Sequence, residues 1–126
     1  MPFHWKDYFE LAKSLAAQPG EAEKRSAISR AYYSVFNTAV ANVRSARQDF
    51  GYKPNGHAWC WDAYTLSQNY QTRQIGLLGS RMKGKRVKAD YHPIDSLRFN
   101  DEVQGTLQDA QEFFEKIPNV RREHLV

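Results

Sequence analysis

At 126 residues, the chain has the length of one compact domain with a single hydrophobic core. Its 41% hydrophobic content excludes a disordered chain, and its formal net charge of +4 favours polyanionic partners only mildly. No apolar run approaches the length that spans a bilayer, and the first residues lack the pattern of a signal peptide. We therefore expect a soluble, cytoplasmic protein with no membrane partner. The only cysteine, Cys60, excludes an internal disulfide and a multi-cysteine zinc site, and we expect its thiol to be buried.

Two long amphipathic patterns open the chain. Apolar residues between Trp5 and Ala16 recur at helical spacing, and Pro19-Gly20 ends this first helix. A second helix is predicted from Glu21 to about Arg47, before Gly51 and Pro54 interrupt the pattern. Its predicted core stripe consists of Ile28, Ala31, Tyr32, Val35, Phe36, Ala39, Val40 and Val43.

The middle of the chain carries weaker patterns. A third helix is predicted over residues 57–70, with Trp59, Ala63, Leu66 and Tyr70 on one side and with Trp61 and Tyr64 on the opposite side. A fourth helix is predicted from Gln71 to about Lys83, although Gly76 and Gly79 each lower its intrinsic stability by roughly 1 kcal/mol.

The last third of the chain is predicted to contain one helix. Residues 84–99, with Gly84 and Pro93, are typical of a structured loop. The final helix is predicted to begin with Asn100 as its N-cap and to end at Pro118. Together, these patterns predict an all-α fold, an antiparallel four- to five-helix up-and-down bundle. Residues 1–118 form one domain in this prediction, and residues 119–126 form a polar, frayed tail.

The second helix also carries a resemblance to a known family. Residues 25–39 read R-S-A-I-S-R-A-Y-Y-S-V-F-N-T-A, which resembles the signature helix of the HEPN family, and Ala89-Asp90-Tyr91 is similar to the tripeptide that often precedes the family's last helix. The resemblance implies a HEPN-like bundle that forms a homodimer through its second and third helices. It further implies either a metal-independent ribonuclease, frequently a toxin paired with an antitoxin or a defence protein, or a binding or assembly module that has lost catalysis.

The family's catalytic pair is an arginine followed by a histidine, and the sequence matches only its first half. Arg30 matches the arginine, but Asn37 stands where the pattern has histidine. Metal-free RNA cleavage needs proton transfer, and asparagine does not titrate. His57, at the start of the third helix, is the best candidate to substitute, and His92 is a second one if its loop folds inward. The catalytic candidates are therefore Arg30, Asn37 and His57.

Two surfaces are candidates for binding. Ser26, Arg30, Tyr33, Asn37 and Arg44 fall on one stripe of the second helix, opposite its apolar stripe, which indicates a dimer or ligand surface. Five cations in residues 81–88 indicate either a phosphate-contacting patch or a solvated helix end. The candidate phosphate- or RNA-binding residues are Arg25, Arg30, Arg81, Lys83, Lys85, Arg86 and Lys88, and the candidate dimer-interface residues are Tyr33, Asn37, Trp61 and Tyr64.

The functional hypothesis is a dimeric HEPN-like protein of a toxin–antitoxin or defence module. It binds RNA or a nucleotide phosphate at the dimer cleft and is at most a weak metal-independent ribonuclease. The alternative is a non-catalytic interaction or assembly module that partners an antitoxin or another neighbouring gene's product. No metal or cofactor is implied, since no two histidines have metal-ligand spacing and no phosphate-loop or dinucleotide fingerprint is present.

Overall fold

The computed structural model describes residues 3–47, 56–93 and 96–126, and within these ranges the chain is all helical. The helices are α1 (Lys6–Ala16), α2 (Glu21–Ala46), α3 (Gly56–Thr65), α4 (Tyr70–Tyr91) and α5 (Ser96–Lys116), followed by 3₁₀ turns at Ile117–Asn119 and Arg122–His124. The all-α prediction is confirmed. The predicted break at Gly51 and Pro54 lies outside the described residues. None of the helices in these ranges combines the length and the apolar character needed to cross a membrane.

The central element is α2, which packs against each of the other four helices. Its predicted apolar stripe faces the core, because six of its members are at most 1% exposed and the other two are partly buried against the core. Glu21 and Glu23 lie in its first turn, where negative charge complements the helix dipole. The predicted bounds and inner face of this helix are confirmed.

The contacts of α2 also give the directions of its neighbours. Arg30 of α2 lies over Tyr8 of α1, and Lys24 reaches back to the carbonyl of Ala16, so these two helices run in opposite directions. In contrast, Tyr32 of α2 contacts His57 at the start of α3, and Ala39 contacts Tyr64 near its end. Both residue numbers rise together, so α3 runs in the same direction as α2.

An up-and-down order is therefore wrong for α2 and α3. The prediction assumed that short connections join neighbouring helices antiparallel. Residues 47–55 separate α2 from α3, and nine residues can cover up to roughly 30 Å. A connection of that length does not require α3 to run antiparallel to α2.

The inward face of α3 is wider than the predicted one, because Ala63 and Trp59 pack on the core as predicted but residues of the opposite side are buried as well. Trp61 and Tyr64 are 2% and 0% exposed, whereas Leu66 is 81% exposed. The reason lies on α4, where Gly76 and Gly79 have no side chains and allow α3 to approach closely. The helix also ends at Thr65, so Leu66 does not continue its inner face.

The region predicted as a loop at residues 84–99 is mostly helix. Helix α4 begins with Asn69 as its N-cap, whose side chain accepts a hydrogen bond from the backbone N–H of Thr72, and it continues through Gly84 to Tyr91. Helix α5 begins at Ser96, so Asn100 is not its N-cap. Gly84 has a low helix propensity, but tertiary packing stabilises the helix beyond it. Ala89, about one turn and a half further along α4, is 2% exposed and packs in a cluster with residues of α2 and α5.

The end of the chain is packed rather than frayed. Leu125 is 2% exposed and joins the main core. Its carbonyl accepts a 2.7 Å hydrogen bond from Nε of Arg47 at the end of α2. The prediction of a polar, frayed tail over residues 119–126 missed Leu125 and also Val120, which packs against the same core.

Candidate functional site

The outer stripe of α2 lies only partly away from the core, because Tyr33 packs against the main core cluster. Ser26, Arg30 and Arg44 are exposed, and Tyr33 and Asn37 are partly buried. The guanidinium of Arg30 lies 5.1 Å from the ring centre of Tyr8 on α1. The Asn37 side-chain amide donates to the backbone carbonyl of Tyr33 at 2.9 Å, so part of its hydrogen-bonding capacity is used within the helix.

Beside this stripe, His57 belongs to a hydrogen-bonded chain that begins in the core. Nε1 of Trp61 donates to the Tyr32 hydroxyl at 3.1 Å, and that hydroxyl lies 2.6 Å from Nδ1 of His57. Tyr32 is fully buried, and burial raises the pKa of its hydroxyl, which therefore keeps its proton. Among the described residues, Nδ1 of His57 is the one acceptor within hydrogen-bond distance of the buried Tyr32 hydroxyl, so the hydroxyl proton is directed to it. The network thus assigns the proton of neutral His57 to Nε2.

The surroundings of His57 favour its neutral form. Its ring stacks on Phe36, with ring centres 4.1 Å apart. Desolvation by this packing lowers the pKa of His57, and the positive charges of Lys83 and Arg86 lower it further. The prediction that His57 lies next to α2 is confirmed. Its arrangement suits a neutral N–H donor rather than a proton acceptor, because Nδ1 is occupied and Nε2 carries the proton.

Arg86 of α4 is the most enclosed cation of this region. Its side chain is 11% exposed, and its guanidinium carbon lies 5.5 Å from the ring centre of Tyr33. One ion pair, to Asp90 at 3.4 Å, offsets its charge. Its Nε is buried and, within the described part of the chain, has no hydrogen-bond partner, which is rare for a buried polar atom. We call Tyr33, His57, Lys83 and Arg86 the cationic cluster.

The cationic cluster can hold an anion. Two cations, Lys83 and Arg86, lie near a neutral histidine whose pKa they lower, and Arg86 is paired with Asp90. An anionic oxygen there would accept from Nε2 of His57 and would gain from both positive charges. The ring of Tyr33 adds an apolar surface at the edge of the cluster.

The basic run of residues 81–88 does not form a single patch, which was one of the two alternatives that the sequence left open. It lies on α4, where each residue turns by 100°, so its cations face different neighbours. Arg81 and Lys85 pair with Asp109 of α5 at 3.0 and 3.1 Å. Lys83 lies in the cationic cluster, and Lys88 lines a cavity between α4 and α5.

Arg25 is a structural residue in this fold. Its Nη1 donates to the backbone carbonyls of Ala89 and His92, both at 2.8 Å, and its Nε pairs with Glu21. These carbonyls are at the C-terminal end of α4, where helix carbonyls lack helical partners. Nη1 of Arg25 therefore caps α4, which gives this residue a structural role, and its predicted contact with phosphate stays a prediction. His92 lines the α4–α5 cavity rather than the cationic cluster.

Two of the predicted interface residues belong to the core. Trp61 and Tyr64 are 2% and 0% exposed, and the Tyr64 hydroxyl donates to the carbonyl of Ala39. They cannot be offered to a second copy while this fold is kept, so their assignment to the interface is wrong. Cys60, directly before Trp61, is buried as predicted, and burial raises the pKa of its thiol to about 12.

Sequence reasoning missed the part that Tyr32 plays in the site. The prediction that Tyr32 lies on the core stripe is correct. A buried tyrosine usually needs a hydrogen-bond partner for its hydroxyl, and this requirement could have indicated that Tyr32 contacts a polar group such as His57.

Comparison with protein-family models, with curated proteins and with solved structures finds no match to this chain. The HEPN resemblance of the second helix stays a prediction.

Proposed function

We propose that the protein is a HEPN-like homodimer of a toxin–antitoxin or defence module that binds RNA or a nucleotide phosphate without cleaving it efficiently. Residues 25–39 of α2 motivate the family and the dimer. The cationic cluster beside this helix supports an anionic ligand.

The observation that carries the proposal is the incompletely neutralised charge of Lys83 and Arg86 beside the N–H of His57. RNA affinity comes largely from such cations at phosphates, together with aromatic rings on which bases stack. Tyr33 supplies a ring at the edge of the cluster, and Arg30, three residues earlier, lies next to Tyr33 on the same side of α2. Pairing of two copies through α2 would bring two such surfaces to one cleft.

Binding is favoured over turnover by the chemistry of the available groups. Cleavage without a metal needs a base for the 2′-hydroxyl and an acid for the leaving oxygen. Asn37 cannot titrate, and Nδ1 of His57 is held by the Tyr32 hydroxyl. General acid–base catalysis contributes about 100- to 10,000-fold, so its loss leaves a binding site with little activity.

Fluorescence anisotropy with a single-stranded RNA tests the binding directly. If Arg30, Lys83 and Arg86 contact phosphates, the slope of log affinity against log salt is about −2 for one chain and about −4 for a dimer, at roughly 0.7 per contact. Arg30→Ala and Lys83→Ala should each reduce this slope, whereas Lys13→Ala, an exposed cation of α1 paired with Glu10, should not. Affinity without salt dependence, or equal behaviour of all three variants, would refute the proposal.

Two further measurements test the dimer and the lack of turnover. Light scattering should report twice the mass of the 14.6 kDa chain. Total RNA incubated with the folded dimer and a chelator should remain intact. Efficient cleavage that Asn37→Ala abolishes would contradict a binding role, and a monomer at every accessible concentration would remove the dimer cleft.

A protein-interaction module is the second candidate, and one observation favours it. Phe3, Trp5 and Tyr8 pack edge to face at the start of the chain, with Phe3 55% and Trp5 38% exposed. Exposed aromatic residues are enriched at protein interfaces. Co-expression with the neighbouring gene's product should then give a complex that Trp5→Ala disrupts and Lys83→Ala leaves intact. RNA affinity that persists in Trp5→Ala would assign the two activities to separate surfaces.

A further inference from the structure

A cavity of about 790 Å³ lies between α4 and α5, on another side of α4 from the main core. Cavities that bind small molecules usually have volumes of roughly 300–1,000 Å³. Its wall includes the apolar side chains of Val87 and Pro93 and the backbone of Gly84. The cavity is therefore large enough for an organic molecule and has apolar surface to contact it.

Among the described residues, the charges around this cavity are mostly positive. Lys83, Lys88 and Arg98 line it, and the one carboxylate in the described part of its lining is that of Glu102. Elsewhere on α4, the cations Arg81 and Lys85 are paired with a carboxylate. Within residues 3–47, 56–93 and 96–126, no carboxylate lies at ion-pair distance from Lys88 or Arg98. The cavity therefore offers unpaired cations next to apolar surface.

Gly84 gives an independent indication that this cavity is kept open. It lies inside a 22-residue helix, where glycine is less favourable than alanine. A Cβ at Gly76 or Gly79 would collide with α3, so packing explains those two glycines, but a Cβ at Gly84 would meet no atom of the described residues within 4 Å. Packing within the described fold does not require this glycine. Its lack of a side chain keeps the cavity wall open.

We propose that this cavity binds a small organic anion, with a phosphate or carboxylate group held by Lys88 and Arg98 and with an apolar body against Val87 and Pro93. The two cations supply charge-assisted hydrogen bonds to the anionic group. The absence of a side chain at Gly84 leaves room for the ligand to approach the backbone of α4. Among the residues that carry the two proposals, this site shares only Lys83 with the RNA-binding surface, and its Lys88 and Arg98 act on the anion whether or not RNA binds.

A matched set of fluorescent probes tests the proposal: 1-naphthyl phosphate, 1-naphthoate and neutral 1-naphthol share one apolar body. Saturable one-to-one binding of an anionic probe, at least about tenfold tighter than that of the naphthol, is expected. Tighter binding of the phosphate assigns a phosphate ligand, and tighter binding of the naphthoate assigns a carboxylate. Equal affinity for all three probes would overturn the role of the cations.

Variants connect the binding to this cavity. Lys88→Ala and Arg98→Ala should each lower the affinity for the anionic probe about tenfold. Lys13→Ala should change this affinity by less than about twofold. Gly84→Leu should fill the cavity and abolish binding without lowering the melting temperature, because leucine is a better helix former than glycine. Unchanged affinity in Gly84→Leu, with its helical content intact, would overturn the proposal. Loss of RNA binding in other variants would leave this result unaffected.

Discussion

Alanine substitutions at the three glycines of α4 test the packing of the whole helix. Each change adds one methyl group to the same helix and gains about 1 kcal/mol of helix propensity. The structure predicts that the net sign differs between the positions. Gly79→Ala would place its Cβ 2.5 Å from Cε3 of Trp61 and closer still to Cζ3 and Cη2. Gly84→Ala would place its Cβ in open space.

The clash at Gly79 is hard to relieve. Carbon atoms normally pack about 3.5–4.0 Å apart, so the ring or α3 would have to move by more than about 1 Å. Trp61 is 2% exposed, and its Nε1 is held by the Tyr32 hydroxyl. Overpacking of this kind costs about 1–3 kcal/mol, and three ring atoms in contact favour the upper end. After the gain in propensity, we expect Gly79→Ala to lower the free energy of unfolding by about 1–2 kcal/mol.

Gly76→Ala should be at least as destabilising. Its Cβ would lie 2.6 Å from the backbone nitrogen of Thr65, and backbone moves less readily than a side chain. Gly84→Ala, the matched control, should raise the free energy of unfolding by up to about 1 kcal/mol. Urea titrations should therefore separate the midpoints of Gly79→Ala and Gly84→Ala by about 1–2 M. Equal or higher stability of Gly79→Ala would show that α3 does not pack on α4 as described.

Three other predictions concern His57, Arg25 and Leu125. The pKa of His57 in the folded state lies below its ordinary value near 6.5, so the unfolded chain binds the proton more readily and the free energy of unfolding falls as the pH drops below about 6.5. In urea titrations, His57→Gln should therefore lose less free energy of unfolding between pH 7.5 and 5.5 than the unchanged protein does. An unchanged pH dependence of the free energy of unfolding would contradict the assignment of a neutral His57. Arg25→Ala should lower the free energy of unfolding by about 1–3 kcal/mol, because the C-terminal carbonyls of α4 lose their donors, while its RNA affinity per folded molecule stays unchanged in anisotropy. Leu125→Ala should lower the free energy of unfolding by about 2–5 kcal/mol, as measured by thermal or urea unfolding. Val126→Ala, at an exposed position, is the control and should change the free energy of unfolding little.

Helix α2 could be predicted from the sequence because its own residues specify both its ends and its inner face. Its apolar stripe runs for more than four turns, and a helix with one continuous stripe has one way to face a core. Helix α3 is different, because it has ten residues and aromatic side chains on more than one side. Its inner face is decided by Gly76 and Gly79 on α4, far away in the sequence. Local periodicity contains no information about that choice.

The same distinction applies to the site. The position of His57 beside α2 follows from the order of the helices and was predicted. The protonation of His57 depends on a chain of hydroxyl and indole groups from α2 and α3, and on cations from α4. A count of cations in residues 81–88 suggested one basic patch, but helical rotation and the single carboxylate of Asp109 on α5 divide it. Contacts between helices, rather than composition, determine which charges remain available.

Lys83 is where the two proposed sites meet, and it offers a test of their independence. It lines the α4–α5 cavity, and its charge lowers the pKa of His57 in the cationic cluster. Lys83→Ala should therefore lower the affinity for both RNA and the anionic naphthyl probe. It should also raise the pKa of His57, as measured in an NMR titration. Arg98→Ala should weaken only the naphthyl probe, and Arg30→Ala only RNA, because these residues lie on different helices, α5 and α2. If Arg98→Ala and Arg30→Ala instead affected both ligands equally, the two sites would be parts of one surface, and the division of charges along α4 described above would be wrong.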